Sequence, residues 1–432
     1  METQVHSLWL PYAQMKTVPT PYRVVRGEGV KLYLDDGTVV IDGISSWWCV
    51  IHGYNHPVLN QAVQEQLAKF AHVMLGGLLN DAALNLAETL VRITPKGLNH
   101  VFFGDSGSVG VEIALKMAIQ YWRNKGFSHK SHFVALRKGY HGDTTGAMSV
   151  SDDDEGMHRL FKGVMLPQYF IDAPSGNSIE SEECQASLFQ LEELLRTKNS
   201  EIAALILEPV FQGAGGFRFY PPEYLVQAQK LCDRHEVLLI FDEVATGFGR
   251  TGALFAADLA NVTPDIMVLS KALTGGYLGL SATIATSKVY NSFLGDGPEL
   301  CFMHGPTFMG NAVACAVALA SIKLIETDNY LSKIKAIEQV LKEEIEGLEG
   351  ASLCDARVLG AIGVLEFESS SNLIGFREFA VERGVWLRPY GKWLYTMPPY
   401  IINEEELRRI TAVMKDWVLY QGKLSNVYAK LT

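Results

Sequence analysis

The chain has 432 residues, more than a single hydrophobic core usually serves, so one large domain and a smaller one are expected. Hydrophobic residues at 48% and charged residues at 20% exclude a disordered chain, and a formal net charge of -11 excludes a sequence-independent grip on nucleic acid, which needs clustered Lys and Arg. The six cysteines are scattered without a CxxC pair and read as reduced, buried thiols; with no charged start leading into an apolar run and no stretch near the roughly 18 residues of a membrane span, a cytoplasmic protein is expected.

In chain order, residues 30–34, the turn Asp35-Asp36-Gly37 and residues 38–41 read as a hairpin within the segment 1–50. Trp47 and Trp48 follow; on a strand, consecutive side chains point to opposite faces, which leaves one of them, Trp48, free to line a cavity. Across residues 51–319, periodic helical stretches alternate with short apolar runs at 101–103, 133–136, 203–207, 237–241 and 266–269. That alternation predicts an α/β large domain with a mostly parallel sheet flanked by helices. The polar stretch 151–181, with its Asp152-Asp153-Asp154 triplet, reads as a solvated loop. Residues 320–432 begin with a charged amphipathic helix from Lys333 to Leu348 and end with a helix near Glu404 to Trp417; with segment 1–50 they are expected to form a small α+β domain.

Three clusters carry chemistry. Asp242 closes one apolar run, and Lys271 opens the glycine-rich turn Ser270-Lys271-Ala272-Leu273-Thr274-Gly275-Gly276 after another. In open α/β sheets ligands bind outside the carboxyl ends of strands, so both side chains fall where a cofactor would lie. The pair suits a cofactor with an aldehyde and a ring nitrogen: the amine condenses with the aldehyde, and the opposed carboxylate keeps the nitrogen protonated. In the second cluster, the N–H groups of Gly107, Ser108 and Val109, the Ser108 hydroxyl and the dipole of a helix through Glu112 to Tyr121 converge on a dianion such as phosphate. The third, Lys138-Gly139-Tyr140-His141-Gly142-Asp143-Thr144, places Tyr140 at another strand end, where its ring can stack on the cofactor; His141 reads as structural. Arg388, between Trp386-Leu387 and Pro389, offers a planar fork for a substrate carboxylate. No metal site is expected.

Phe241-Asp242-Glu243-Val244-Ala245-Thr246-Gly247-Phe248-Gly249-Arg250 and the Lys271 turn together resemble the class III, ω-type aminotransferases among the fold-type I pyridoxal-phosphate enzymes, over nearly the whole chain. Leu8-Trp9-Leu10-Pro11-Tyr12, the Trp47-Trp48 pair before His52-Gly53-Tyr54-Asn55-His56-Pro57, and His304-Gly305-Pro306-Thr307-Phe308-Met309-Gly310-Asn311 are similar to the branch of that family that serves biotin synthesis. The resemblance implies a fold-type I transferase with pyridoxal 5'-phosphate on Lys271, Asp242 at its ring nitrogen and Ser108 with Val109 at its phosphate. It also implies an obligate homodimer in which Pro306 and Thr307 reach that phosphate from the partner subunit, and a substrate pocket lined by Tyr12, Trp48, Tyr140, Gly305 and Arg388. The amino donor it implies is S-adenosylmethionine and the acceptor 8-amino-7-oxononanoate, in a ping-pong reaction giving 7,8-diaminononanoate. Family members that use lysine as donor resemble this chain less in the double tryptophan and in the 305–311 segment. The alternatives are a class III enzyme for a diamine or another ω-amino acid, and a non-catalytic protein that keeps the fold. Glu208-Pro209 with Gln212-Gly213 is general to the class and separates none of these.

Overall fold

The computed structural model describes residues 7–152, 154 and 157–428. At the N-terminal end β1 (Val24–Glu28), β2 (Lys31–Leu34) and β3 (Val39–Asp42) form an antiparallel meander. The expected hairpin joins β2 to β3: Gly37 adopts φ +90°, and the Asp36 carboxylate accepts the Thr38 N–H at 2.8 Å, the local bond that favours Asp in turns.

The central sheet uses β4 (Leu98–Gly104), β5 (His132–Leu136), β6 (Tyr169–Ile171) and β7 (Ile202–Leu207). After a short hairpin, β8 (Phe211–Gln212) with β9 (Arg218–Phe219), it continues through β10 (Leu238–Asp242), β11 (Ile266–Leu269) and β12 (Ser281–Thr286). Its order is β4-β12-β11-β10-β7-β5-β6, parallel from β11 through β6, with β12 antiparallel to both of its neighbours. β7, β10 and β11 are buried along their whole length, which is why their sequences are continuous apolar runs and do not alternate. The helix Gly107–Asn124 packs on β11 and β12, while Ala312–Thr327 packs on the helices Pro57–Leu67 and Asp81–Ile93.

Segment 151–181 is not simply a solvated loop: it supplies β6, the edge of the central sheet. Asp152 is buried, accepting the Lys138 N–H at 2.8 Å and pairing with Arg137 at 3.3 Å, because the turn that ends β5 leaves an N–H in need of an acceptor. Asp154 pairs with Arg137 at 3.0 Å, and Asp153 lies outside the described residues. Of the six free cysteines, Cys184, Cys232 and Cys315 are buried as expected, whereas Cys301 and Cys354 are exposed and Cys49 is half-buried.

Towards the C-terminus, β13 (Leu353–Leu359), β14 (Ile362–Phe367), β15 (Val385–Trp386) and β16 (Trp393–Thr396) follow the helix Tyr330–Glu344. β13, β14 and β16 form an antiparallel sheet, while β15 leaves it to pair in parallel with β3, Val385 facing Ile41 and Trp386 facing Asp42. The two ends of the chain therefore share a sheet. The last helix, Glu404–Tyr428, runs past Trp417. Among the described residues, no helix is long and apolar enough to cross a membrane.

The link after β3 departs from expectation. Ser45, Ser46, Trp47 and Trp48 have φ of 49°, 44°, 60° and 76°, so the two tryptophans sit on a left-handed turn and not on a strand. The left-handed helical conformation costs roughly 1–2 kcal/mol per residue for side chains with a Cβ. Hydrogen bonds to the buried Asp42 offset that cost: its carboxylate accepts the Ile44 and Ser46 N–H groups, each at 2.9 Å.

Gly110 lets the helix Gly107–Asn124 close on the sheet: a Cβ there would lie 2.8 Å from Val268 Cγ1 and 3.1 Å from Ser281 Cβ. Gly110→Val should destabilise the fold by about 1–3 kcal/mol, the usual range for overpacking, read as a lower urea midpoint. An unchanged midpoint would contradict this packing.

Candidate active site

Four strand ends and one helix start meet at one place. β10 delivers Asp242, β7 delivers Glu208 one residue past its end, β5 leads into Tyr140 and His141, and β11 leads through Ser270 into Lys271. The helix starting at Gly107 brings Ser108. Lys271, Asp242, Ser108, Gly107, Tyr140 and Trp48 all line one cavity of about 140 Å³.

Lys271 stands at φ +44° at the head of a single 3-10 turn, Lys271–Thr274, which Gly275 (φ +61°) and Gly276 (φ +84°) terminate. These glycines are required for space as well as conformation, since a Cβ on Gly276 would lie 2.6 Å from Val50 Cγ2 and one on Gly275 2.8 Å from His52 Cδ2. Burial pushes the Lys271 amine below the usual lysine range, while the charges of Asp242 and Glu208 pull it back up. Its Nζ lies 4.3 Å from the centre of the Trp48 ring, so an aromatic face replaces part of the lost hydration.

Asp242 is buried and doubly held: Oδ2 is 2.7 Å from His141 Nδ1, and Oδ1 accepts the Val244 N–H at 3.0 Å. His141, expected to be merely structural, is thus the side chain that fixes the key carboxylate. Its position next to Tyr140 in Gly-Tyr-His-Gly was the available signal. Glu208 was also undervalued: it is buried and accepts the N–H groups of Tyr140 and Gly213, each at 3.0 Å, so it ties together the backbones on two sides of the cavity.

Ser106 is the N-cap of this helix, its hydroxyl accepting the Val109 N–H at 3.3 Å, and Gly107 and Ser108 line the cavity. Ser108 Oγ accepts the Asp143 N–H at 3.1 Å, and Gly142 crosses it so closely that a Cβ would meet Ser108 Oγ at 2.3 Å. Glycines at 107 and 142 thus leave room at the helix terminus, where a phosphate fits. Amine, carboxylate, aromatic ring and helix start line one cavity, as a phosphorylated pyridine aldehyde requires, and among the described residues the buried His141 Nε2 has no hydrogen-bond partner.

An outer cavity of about 540 Å³ adjoins this one and reaches Tyr12, Trp47, Tyr140, Arg388, Tyr390 and Tyr395. The Tyr12 hydroxyl donates to Asp143 Oδ2 at 2.6 Å, the Tyr140 hydroxyl donates to Asp143 Oδ1 at 3.1 Å, and His158 Nε2 lies 2.9 Å from the same oxygen. Burial raises Asp143, but these hydrogen bonds outweigh it and hold the carboxyl below its ordinary value. Arg388 lies 5.1 Å above the Trp47 ring and, among the described residues, pairs with no carboxylate. Trp47 was missed because the strand premise sent it away from the cavity; on the left-handed turn both indoles face it.

Gly305, Pro306 and Thr307 line neither cavity of their own chain. They lie beside the 70–75 segment, where the Thr307 carbonyl is 2.9 Å from His72 Nε2, and Met303 and Phe308 around them are exposed.

The family model for aminotransferase class-III matches residues 12–418. A curated relative from Mycobacterium leprae (strain TN), adenosylmethionine-8-amino-7-oxononanoate aminotransferase, is 45% identical over 414 residues, covering 94% of each chain. A relative of the same name from Buchnera aphidicola subsp. Acyrthosiphon pisum (strain APS) is 44% identical over 95% of each chain. The crystal structure of the enzyme so named from Methanocaldococcus jannaschii DSM 2661 superimposes with a TM-score of 0.90 at 34% identity, covering 96% of this chain and 97% of that one. An amine transaminase from an uncultivated Pseudomonas species, in its PLP-bound form, gives a TM-score of 0.90 at 30% identity, covering 96% and 99%.

Burial pushes Glu208 up from its ordinary value of 4.5 to about 7, with the nearby Asp242 charge adding to it and His141 opposing. The folded chain thus holds this proton more tightly than the unfolded one, so the stabilisation is complete below about pH 4.5 and is lost as pH rises through about 7. Burial raises Glu243 to about 7 as well, with the same sign. Cofactor-free protein should therefore lose stability between pH 5 and 8 by denaturant titration, and Glu208→Gln should narrow that loss. A loss of equal size in both proteins would show that Glu208 does not titrate in this window.

Proposed function

Because the chain belongs to the aminotransferase class-III family, we propose that it moves the amino group of S-adenosylmethionine to 8-amino-7-oxononanoate, giving 7,8-diaminononanoate in biotin synthesis. The protein is a pyridoxal-phosphate transaminase. The observation that carries the reading of the site is the convergence of Lys271, Asp242 and the Gly107–Ser108 helix start on one cavity.

When bound, pyridoxal phosphate supplies an aldehyde for the amine to attach to and a protonated ring that accepts the electron pair of the α-carbon. Lys271 would hold it through Nζ, and the same amine is the base that would move a proton from the donor α-carbon. Burial makes that amine less basic than an exposed lysine. Asp242, immobilised by His141 and the Val244 N–H, would pair with the ring nitrogen and keep it protonated. Gly107, Ser108 and Val109 at the helix start would hold the phosphate, and Tyr140 would stack on the ring. Arg388 binds the carboxylate of either substrate through its planar fork, while Trp48, Tyr12 and Tyr140 shape the wall and exclude water. The same pocket serves both halves of a ping-pong cycle, so donor and acceptor compete for Arg388.

The working unit is a homodimer in which Pro306 and Thr307 complete the partner's phosphate site and Gly305 its substrate pocket. The exposed apolar side chains Phe70, Met74, Leu78, Met303 and Phe308, flanking that segment, suit such an interface. Residues 51–319 carry the cofactor, and 1–50 with 320–432 form the small domain, a division supported by the pairing of β3 with β15. The free thiols suit the cytoplasm.

Lys271→Ala should abolish turnover and the absorbance of the lysine-bound cofactor; retained activity would sink the assignment. Thr307→Ala should weaken cofactor binding, and co-expressing it with Lys271→Ala should restore activity, because one site of the mixed dimer is then intact. No restoration would remove Thr307 from the partner's site. Parallel half-reactions with adenosylmethionine and lysine identify the donor: bleaching by lysine alone would overturn the adenosylmethionine reading.

A further inference from the structure

Ser45–Trp48, four consecutive residues at positive φ with no glycine among them, connect β3 to the active site. A non-glycine residue at positive φ is uncommon, and it persists where its surroundings over-determine it. Ser45 Oγ donates to the Met397 carbonyl at 2.8 Å, and the centre of the turn is held by one buried carboxylate. Asp42 is fully buried; Oδ1 accepts the Ile44 N–H at 2.9 Å, and Oδ2 accepts the Ser46 N–H at 2.9 Å and the Tyr54 hydroxyl at 2.6 Å. The Tyr54 hydroxyl also lies 2.5 Å from Ser46 Oγ, and its ring packs beneath Gly27, where a Cβ would be 2.8 Å away. Among the described residues no cation pairs with Asp42, so its acceptors serve this turn.

The turn carries two indoles, each set against a different cation. Trp48 stands 4.3 Å from Lys271 Nζ and Trp47 stands 5.1 Å from Arg388 Cζ. Gly213 admits the Trp48 ring, since a Cβ there would lie 3.0 Å from its Cη2. The separation between the amine and the carboxylate-binding guanidinium is thereby spanned by one rigid four-residue segment.

We propose that Asp42 and Tyr54 are positioning residues of the active site: they lock the left-handed turn that sets Trp48 on Lys271 and Trp47 on Arg388 at once. This rests on the roles of Lys271 and Arg388 given above. A turn that served the fold alone would alter stability and leave both cations unaffected. If Asp42 and Tyr54 set the two contacts, loosening them changes the surroundings of the amine and the affinity for carboxylate together.

The test uses the full-length Asp42→Asn and Tyr54→Phe proteins. Asparagine keeps one acceptor oxygen and turns a donor toward Ser46 N–H, whereas phenylalanine removes one hydroxyl and leaves the carboxylate in place, so the second variant still reports if the first does not fold. In cofactor-free protein, the labelling rate of Lys271 by a small amine-reactive reagent is read by peptide mass spectrometry against exposed Lys230. In the loaded enzyme, KM for 8-amino-7-oxononanoate is compared with kcat. The expected result is a several-fold rise in both the Lys271 labelling ratio and KM. Adding Ser46→Gly to Asp42→Asn should restore both in part, because glycine adopts positive φ without the lock. Folded variants with both readouts at wild-type values, a change in only one of them, or no recovery with Ser46→Gly each overturn the proposal. The labelling readout does not need the cofactor, so its failure is distinct from a failure of the Lys271 assignment, which Lys271→Ala tests separately.

Discussion

The amine of Lys271 is held where water is scarce, and the rest of the site follows from that constraint. An ammonium taken out of water is costly unless something replaces its hydration. Here the replacements are the charges of Asp242 and Glu208 and the face of Trp48. The balance leaves the amine less basic than an exposed lysine without leaving it alone in an apolar cavity. The carboxylates in turn need their own partners. Asp242 is bound by His141 and by the Val244 N–H, and Glu208 by two backbone N–H groups, so each buried charge is tied to the ends of neighbouring strands.

A parallel sheet makes that network possible. β5, β7, β10 and β11 point the same way, so four carboxyl ends open on one edge, and the loops leaving them supply His141, Glu208, Asp242 and Lys271 within reach of one another. Strands buried on both faces give this edge a rigid support. Close backbone approach does the remaining work: glycines at 107, 110 and 142 let the helix start sit against the sheet and the 140–144 loop.

The outer pocket is assembled differently, from segments far apart in the chain. Tyr12 comes from the N-terminal arm, Trp47 and Trp48 from the turn after β3, and Arg388 from the loop after β15. The parallel pairing of β3 with β15 brings these segments together, so the specificity wall depends on the junction of the two chain ends while the chemistry depends on the central sheet.

Much of this was legible in the residues. The apolar runs marked β5, β7, β10 and β11, and an acid closing one run with a lysine in a glycine turn after another marked Asp242 and Lys271, because buried strands and cofactor turns impose local composition. The double tryptophan was legible as a cavity element but not in its conformation: a left-handed turn without glycine has no local signature, and it exists because Asp42 and Tyr54, held by tertiary packing, stabilise it. His141 looked structural and Glu208 generic, since the value of a buried polar side chain lies in partners on other segments, Asp242 for His141 and the Tyr140 N–H for Glu208. Likewise the burial of Asp152 was decided by the turn after β5, and the β6 edge strand within a polar stretch by its parallel pairing with β5. The sequence by itself determined the strands, the reactive lysine and its acid, through short-range patterns that burial enforces. Only the tertiary structure decided which side chains aim the reactive ones, because that depends on contacts between segments that no local pattern encodes.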